Sequence, residues 1–295
     1  MGKLTFYILD VFAEAKYAGN QLAVIRDAGG LSDAEMQKIA KEMNYSETTF
    51  ILSEQPWEGG YDVRIFTLQA EVPFAGHPTL GTAFVIQQEI VGEPADVVNL
   101  NLKVGRIPVT FNYEEGRAGI LWMKQIEPIF GDTIDPEPIL EVLGIEKSQI
   151  DERFPIQEVS TGLPFIIVPL KTLSGVKQTQ VSRDKLFELV KEYEAKMIFV
   201  FCPETYHPEN GLNCRMFADY YGIAEDPATG SANGCLAGYL VRHRYFGDSK
   251  VDIRVEQGYE IGRPSLLYLR SEEKDGKIDV SVGGKVIMVA KGELV

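Results

Sequence analysis

The feature that most constrains this chain is that it carries similar text twice. "LSDAEMQKIAKEMNYSETTFIL" from Leu31 and "VSRDKLFELVKEYEAKMIFVFC" from Val181 align without a gap at an offset of 150 (181 − 31). They share Ser32/Ser182 and Lys41-Glu42/Lys191-Glu192, and each reads as a helix followed by a strand. Arg64-Ile65-Phe66 recurs as Arg215-Met216-Phe217, and Pro73 with Gly76 recurs as Pro227 with Gly230. Gly19-Asn20, before "QLAVI", is matched more loosely by Gly162-Leu163, before "PFIIV". Four landmarks in one order predict a duplicated architecture.

Within each half, short β-rich runs such as "LTFYILDVF", "YDVRIFTL", "VVNLNL" and "IPVTFNY" outnumber helices. This favours an α+β plan over alternating βαβ units. The segments "PTLGTAFVIQQEIV" and "ANGCLAGYLVRH" differ, being apolar around much of the helical circumference. A helix apolar on most sides must be buried on most sides. The expectation is therefore two pseudo-symmetric halves, each a curved, mostly antiparallel sheet or barrel around a central buried helix. Pro78 falls in the first turn of its helix, where a missing N–H costs little. His77 and Ser231 fall at or near the two N-caps; serine is a favoured cap and histidine is not. The proline-rich, acidic stretch "IEPIFGDTIDPEPILEVLGI" from Ile126 is the expected crossover. Residues 1–127 with 284–295 are then the N-terminal half, and residues 128–283 the C-terminal half.

Composition narrows the function classes. A chain of 295 residues, 45% hydrophobic, can build real cores. Its net charge of −14 argues against a nucleic-acid grip, which needs a basic face, and nothing in it favours a membrane surface. "MGKLTFYILDVF" has strand-like alternation without the core of a signal peptide, Phe6 breaks the myristoylation pattern, and no apolar run approaches the ~20 residues of a spanning helix. Cys202, Cys214 and Cys235 are odd in number, widely spaced and set in apolar text, which predicts reduced core residues of a cytoplasmic protein.

The chemistry is concentrated at two related stretches, "EVPFAGHPTLG" from Glu71 and "EDPATGSANG" from Glu225. A buried helix leaves its first N–H groups without intrahelical partners, and its dipole attracts an anion there. If both helix starts point into one cleft, Gly76-His77 and Gly230-Ser231 present backbone donors to one small acidic ligand. No phosphate-loop lysine is present, so a small carboxylate fits better than a nucleotide. Glu47, in "NYSETTF", aligns with Met197 (47 + 150), so a carboxylate stands there in one half only. Desolvation would suit it to take and return a proton near neutral pH; a solvated acid at a helix-strand junction is the plainer alternative. Asp226, five residues before Ser231, either pairs with a substrate amine, orients His77, or initiates the Asp-Pro turn. At a helix start His77 is expected to stay neutral because of the dipole. No metal-ligand spacing and no Gly-x-Ser-x-Gly elbow occur, so neither a metal site nor a serine triad is assigned.

At these residues the sequence resembles the phenazine-biosynthesis-like isomerase (PhzF) family. The matching segments are "DVFAEAKYAGNQLAVI", "EMNYSETTF", "EVPFAGHPTLGTAF", "EDPATGSANG", "QGYEIGRPS" and "GGKVIMVAKGEL", which span nearly the whole chain. The resemblance implies a diaminopimelate epimerase-like fold with the active site between its halves. It implies Glu47 as general acid/base assisted by His77 and Asp226, with Gly76, Gly230 and Ser231 at the ligand. It further implies isomerisation without metal or organic cofactor, and a homodimer. The related epimerases use a cysteine before each paired glycine; here those positions are Ala75 and Thr229, which rules out two-cysteine racemisation. One acid in one half favours moving a proton along one face of a substrate. The alternative is a small-acid binding protein that keeps the fold without turnover, and a hydrolase or lyase using His77 and Asp226 is a third possibility.

Overall fold

In the computed structural model, which describes residues 3–295, the β-rich runs become strands around two buried helices. The first two residues of the predicted N-terminal half lie outside the described residues. The chain divides into two units: one runs to Met123 and takes in Gly283–Val295, and the other is Lys124–Val282.

The first unit contains β1 (Leu4–Val11), β2 (Asn20–Ile25), α1 (Asp33–Met43), β3 (Glu47–Ile51), β4 (Tyr61–Thr67), β5 (Glu71–Val72), α2 (Gly76–Val85), β6 (Val97–Leu102), β7 (Gly105–Glu114) and β8 (Arg117–Lys124). The C-terminal strand Val286–Leu294 lies antiparallel to β1. From there the pairings run β1–β2 antiparallel, β2–β3 parallel, β3–β4 and β4–β5 antiparallel, β4–β6 parallel and β6–β7 antiparallel.

The second unit contains β9 (Ile129–Thr133), α3 (Pro136–Leu143), β10 (Gln157–Ser160), β11 (Pro164–Pro169), α4 (Leu173–Gln178), α5 (Arg183–Leu189), β12 (Ile198–Cys202), β13 (Leu212–Ala218), β14 (Ile223–Asp226), α6 (Gly230–Arg242), β15 (Lys250–Gln257), β16 (Ser265–Lys274) and β17 (Lys277–Gly284). Here β9–β10 and β10–β11 are antiparallel, β11–β12 parallel, β12–β13 and β13–β14 antiparallel, β13–β15 parallel and β15–β16 antiparallel. This is the pairing order of the first unit repeated, so the duplicated text does fold twice into one plan. Registers agree as well: Tyr61 lies opposite Leu100, three residues before Arg64, and Leu212 opposite Val255, three residues before Arg215.

Each unit is built around a helix with almost no solvent-facing side. In α2 every residue from Gly76 to Ala83 is buried, and in α6 every residue from Ala232 to Val241. α2 packs on β1, β2, β3, β6 and β7, and α6 on β10, β11, β15 and β16. A β-carbon at Gly81 would press on Leu22, Val11 and Leu9, so its absence lets α2 approach β1 and β2. Arg64 reaches across to Glu71 through two hydrogen bonds of 2.9 and 2.7 Å, tying β4 to the strand before α2. Arg215 does the same to Glu225 at 3.0 and 2.7 Å, before α6. Forked guanidinium-carboxylate pairs of this kind fix both distance and orientation.

His77 and Ser231, expected at or near the two N-caps, each lie two residues past the cap. The N-caps are Ala75 and Thr229, and neither makes a side-chain cap bond. His77 and Ser231 are the second residues of their helices, because the extended backbone persists to the residue just before each glycine. Cys202, Cys214 and Cys235 are buried free thiols. Burial pushes the thiols of Cys202 and Cys235 up to about 12, so they behave as apolar packing. Among the described residues no helix is long and apolar enough to cross a membrane.

Candidate active site

In the first unit, three elements converge on the start of α2. Glu47 opens β3, and four of that strand's five residues are buried. The hydroxyls of Thr49 and Thr82 meet at 2.7 Å, both fully buried, and pin β3 to α2. His77, in the first turn of α2, is 6% exposed. Its Nε2 lies 3.5 Å from Glu47 Oε2, with the carboxylate side chain 19% exposed. Glu47 is thus turned inward, with an edge left open to solvent.

The state of His77 follows from its surroundings. Burial is the largest influence and lowers its pKa to about 3, against a smaller opposing effect from a hydrogen bond to the Gln21 backbone on β2. The ring is neutral throughout the physiological range. Lost hydration acts in the same direction as the helix dipole expected from the sequence, both favouring the neutral ring. With Nε2 making no hydrogen bond inside 3.5 Å, the Gln21 contact belongs to Nδ1, which carries the proton. Nε2 then presents a lone pair towards Glu47, and a protonated Glu47 can donate to it.

In the second unit, the turn before α6 is held by side chains. Asp226 ends β14 and is 7% exposed. Thr229 Oγ1 donates to Asp226 Oδ2 at 2.5 Å, which is why this threonine does not cap α6. Gln257, at the end of β15 and fully buried, accepts from Thr229 N at 3.1 Å and from Asn233 Nδ2 at 2.9 Å. Its own Nε2 donates to Asp226 O at 2.9 Å and to Thr229 Oγ1 at 3.1 Å. Gly258 follows in the left-handed region at φ 78, where a β-carbon would overlap the carbonyl oxygens of Arg263 and Pro227. Gly230 is buried and Ser231 half-buried at the helix start.

The sequence reading grouped Glu47, His77 and Asp226 as catalytic and Gly76, Gly230 and Ser231 at the ligand. Of these, Glu47 lies beside His77, which follows Gly76 in the first turn of α2, and Asp226, Gly230 and Ser231 lie between the end of β14 and the start of α6. That reading missed Gln257 and the side-chain role of Thr229. The sheet registers, which pair Tyr61 with Leu100 and Leu212 with Val255, make Leu102 the first unit's counterpart of Gln257, whereas carrying the Arg64/Arg215 offset of 151 forward falls on Arg106, so no signal in the text pointed to it.

A family model described as phenazine biosynthesis-like protein matches residues 9–292. The chain belongs to the phenazine biosynthesis-like (PhzF) family. Among PhzF relatives, an uncharacterized isomerase of Clostridium acetobutylicum is 36% identical over 99% of this chain and 98% of its own length. A trans-2,3-dihydro-3-hydroxyanthranilate isomerase of Pseudomonas aeruginosa is 34% identical over 97% of this chain and 98% of its own. Among solved structures, a PhzF family protein of Bacillus anthracis matches with a TM-score of 0.92 at 28% identity, covering 100% of both chains. The protein is accordingly a PhzF-type isomerase with the epimerase-like α+β fold expected from its text.

Proposed function

We propose that this isomerase moves a proton within a small carboxylic acid, with Glu47 as general acid/base, and that it needs neither metal nor organic cofactor. The observation that carries this reading is the apposition of Glu47 and His77 in a unit whose duplicate has Met197 and Ser231 at the corresponding positions. The β-sheet register supports that correspondence: Thr48 pairs with Phe66 as Ile198 pairs with Phe217. A carboxylate kept in one copy and replaced by methionine in the other is not a requirement of the fold.

The chemistry follows from the groups present. A carboxylate at the start of β3 takes a proton from an acidic carbon of the substrate. The neutral His77 accepts a hydrogen bond from the carboxylic acid so formed, and this holds the proton close to where it left. Glu47 then returns it to a different atom on the same face. Ala75 and Thr229 precede the two glycines and neither is a thiol, so a pair of cysteine bases acting from opposite faces has no residues to carry it. Gly76, Gly230 and Ser231 are assigned to the ligand, with Asp226 assisting catalysis. The buried free thiols fit a reducing, cytoplasmic compartment.

The substrate named for the Pseudomonas aeruginosa relative, trans-2,3-dihydro-3-hydroxyanthranilate, is the first compound to offer. Conversion to an isomer of unchanged mass is the expected result. Thermal stabilisation by that compound, with no isomer and no hydrogen exchange, would instead support a binding protein that has kept the fold.

A further inference from the structure

We infer that Gln257 is a positioning residue that orients Asp226 and the first turn of α6; the inference rests on the reading of Asp226 as a site residue. The carboxamide makes four bonds to this one turn, two as acceptor from Thr229 N and Asn233 Nδ2 and two as donor to Asp226 O and Thr229 Oγ1, and its oxygen also accepts a longer contact from Cys214 Sγ on β13 at 3.8 Å. Thr229 Oγ1 passes the constraint on, donating to Asp226 Oδ2 at 2.5 Å. The carboxylate of Asp226 is therefore oriented through a chain that begins on β15.

The duplicated fold separates this arrangement from ordinary structural need. The first unit builds the same turn with Val72 where the second has Asp226, Ala75 where it has Thr229, and Leu102 where it has Gln257. Three positions that are apolar in one copy are polar and mutually hydrogen-bonded in the other. A scaffold that forms the turn with valine, alanine and leucine does not require aspartate, threonine and glutamine for folding. The neighbouring position behaves differently. Glu256 accepts from the backbone N–H groups of Tyr206 and His207, while its counterpart Asn101 donates to the Trp57 carbonyl. Both copies keep a polar clasp there on the loop that precedes the central strand, as a structural role demands. The change at 257 is confined to the unit that carries Asp226.

The test is Gln257→Leu, which installs the first unit's own residue. The variant is expected to melt cooperatively, to lose hydrogen-exchange protection at the Thr229 amide, and to shift the titration of the Asp226 carboxyl carbon followed by 13C NMR. On trans-2,3-dihydro-3-hydroxyanthranilate, kcat is expected to fall about 10- to 100-fold while KM changes much less, the scale of losing an orienting partner. Should Gln257→Leu fail to fold, Thr229→Ala breaks the same chain with the carboxamide intact and should shift the Asp226 titration likewise, with Thr229→Ser restoring it. A folded Gln257→Leu or Thr229→Ala protein with the wild-type Asp226 titration and wild-type kcat overturns the inference. If the wild-type protein leaves that compound unchanged, the substrate in the proposed function fails, while the NMR titration still decides the role of Gln257.

Discussion

His77 Nε2 stands 3.5 Å from Glu47 Oε2 while the imidazole is held neutral by burial, its pKa lowered to about 3. A group whose folded pKa lies below its unfolded value of about 6.5 binds more protons when unfolded, so stability rises with pH across the interval between the two. The expected outcome is a His77-dependent loss of stability as pH falls from about 6.5 towards 3, at about 1.4 kcal/mol per unit of pKa difference. Glu71 acts in the same direction lower down: its hydrogen bonds to Arg64 hold it at about 2, so its contribution is lost below about 4.5. Chemical denaturation of wild type and His77→Gln across this range checks the point. A parallel pH dependence in the two proteins would contradict it.

Neutral His77 also constrains kinetics. The pH-rate profile is expected to contain no step from this histidine between pH 5 and 8, and its ring protons should not titrate there by NMR. A histidine midpoint near 6.5 assigned to His77 would show that burial does not control the ring.

The two Arg-Glu forks predict unequal losses. Arg215 is more buried than Arg64, and its Nη1 also donates to the carbonyls of Val176 and Thr179 at 2.9 Å each. Arg215→Ala strands a buried carboxylate and two carbonyls, for a loss of about 3–5 kcal/mol. Arg64→Ala leaves Glu71 beside Lys103, at 2.6 Å, and should cost less. Urea unfolding of both variants measures the order, and equal losses would count against the argument.

Much of the fold was legible because it is written as pattern. The all-round apolar text after Gly76 and Gly230 requires buried helices, and the 150-residue offset makes Glu47 conspicuous against Met197. The hydrogen-bonded chain through Asp226, Thr229 and Gln257 was not legible, because Gln257 lies 28 residues beyond Thr229 and reaches it only after β15 has paired with β13. The burial that favours a neutral His77 was hidden for a related reason: a helix dipole can be inferred from local text, whereas burial depends on β2 and β3 packing against α2. The caps fell at Ala75 and Thr229 because local preference for serine yielded to the path of the incoming strand.

Close packing at Gly258 offers a further check on the second unit. Gly258→Ala combines a left-handed φ of 78 with overlap against two carbonyl oxygens. A loss on the order of 3 kcal/mol or more is expected, whereas Gly81→Ala, which meets only side-chain carbons, should lose about 1–3 kcal/mol. Thermal melts that reverse this order would show that the turn over Pro227 yields more easily than the packing of α2 on β2.

The central claim is that Glu47 carries the proton, and the most direct measurement is deuterium incorporation from heavy water into a substrate turned over by wild type and by Glu47→Gln. The account predicts incorporation by the wild type and none by a Glu47→Gln protein that still melts cooperatively and still binds the acid. Undiminished deuterium uptake by that variant would contradict it.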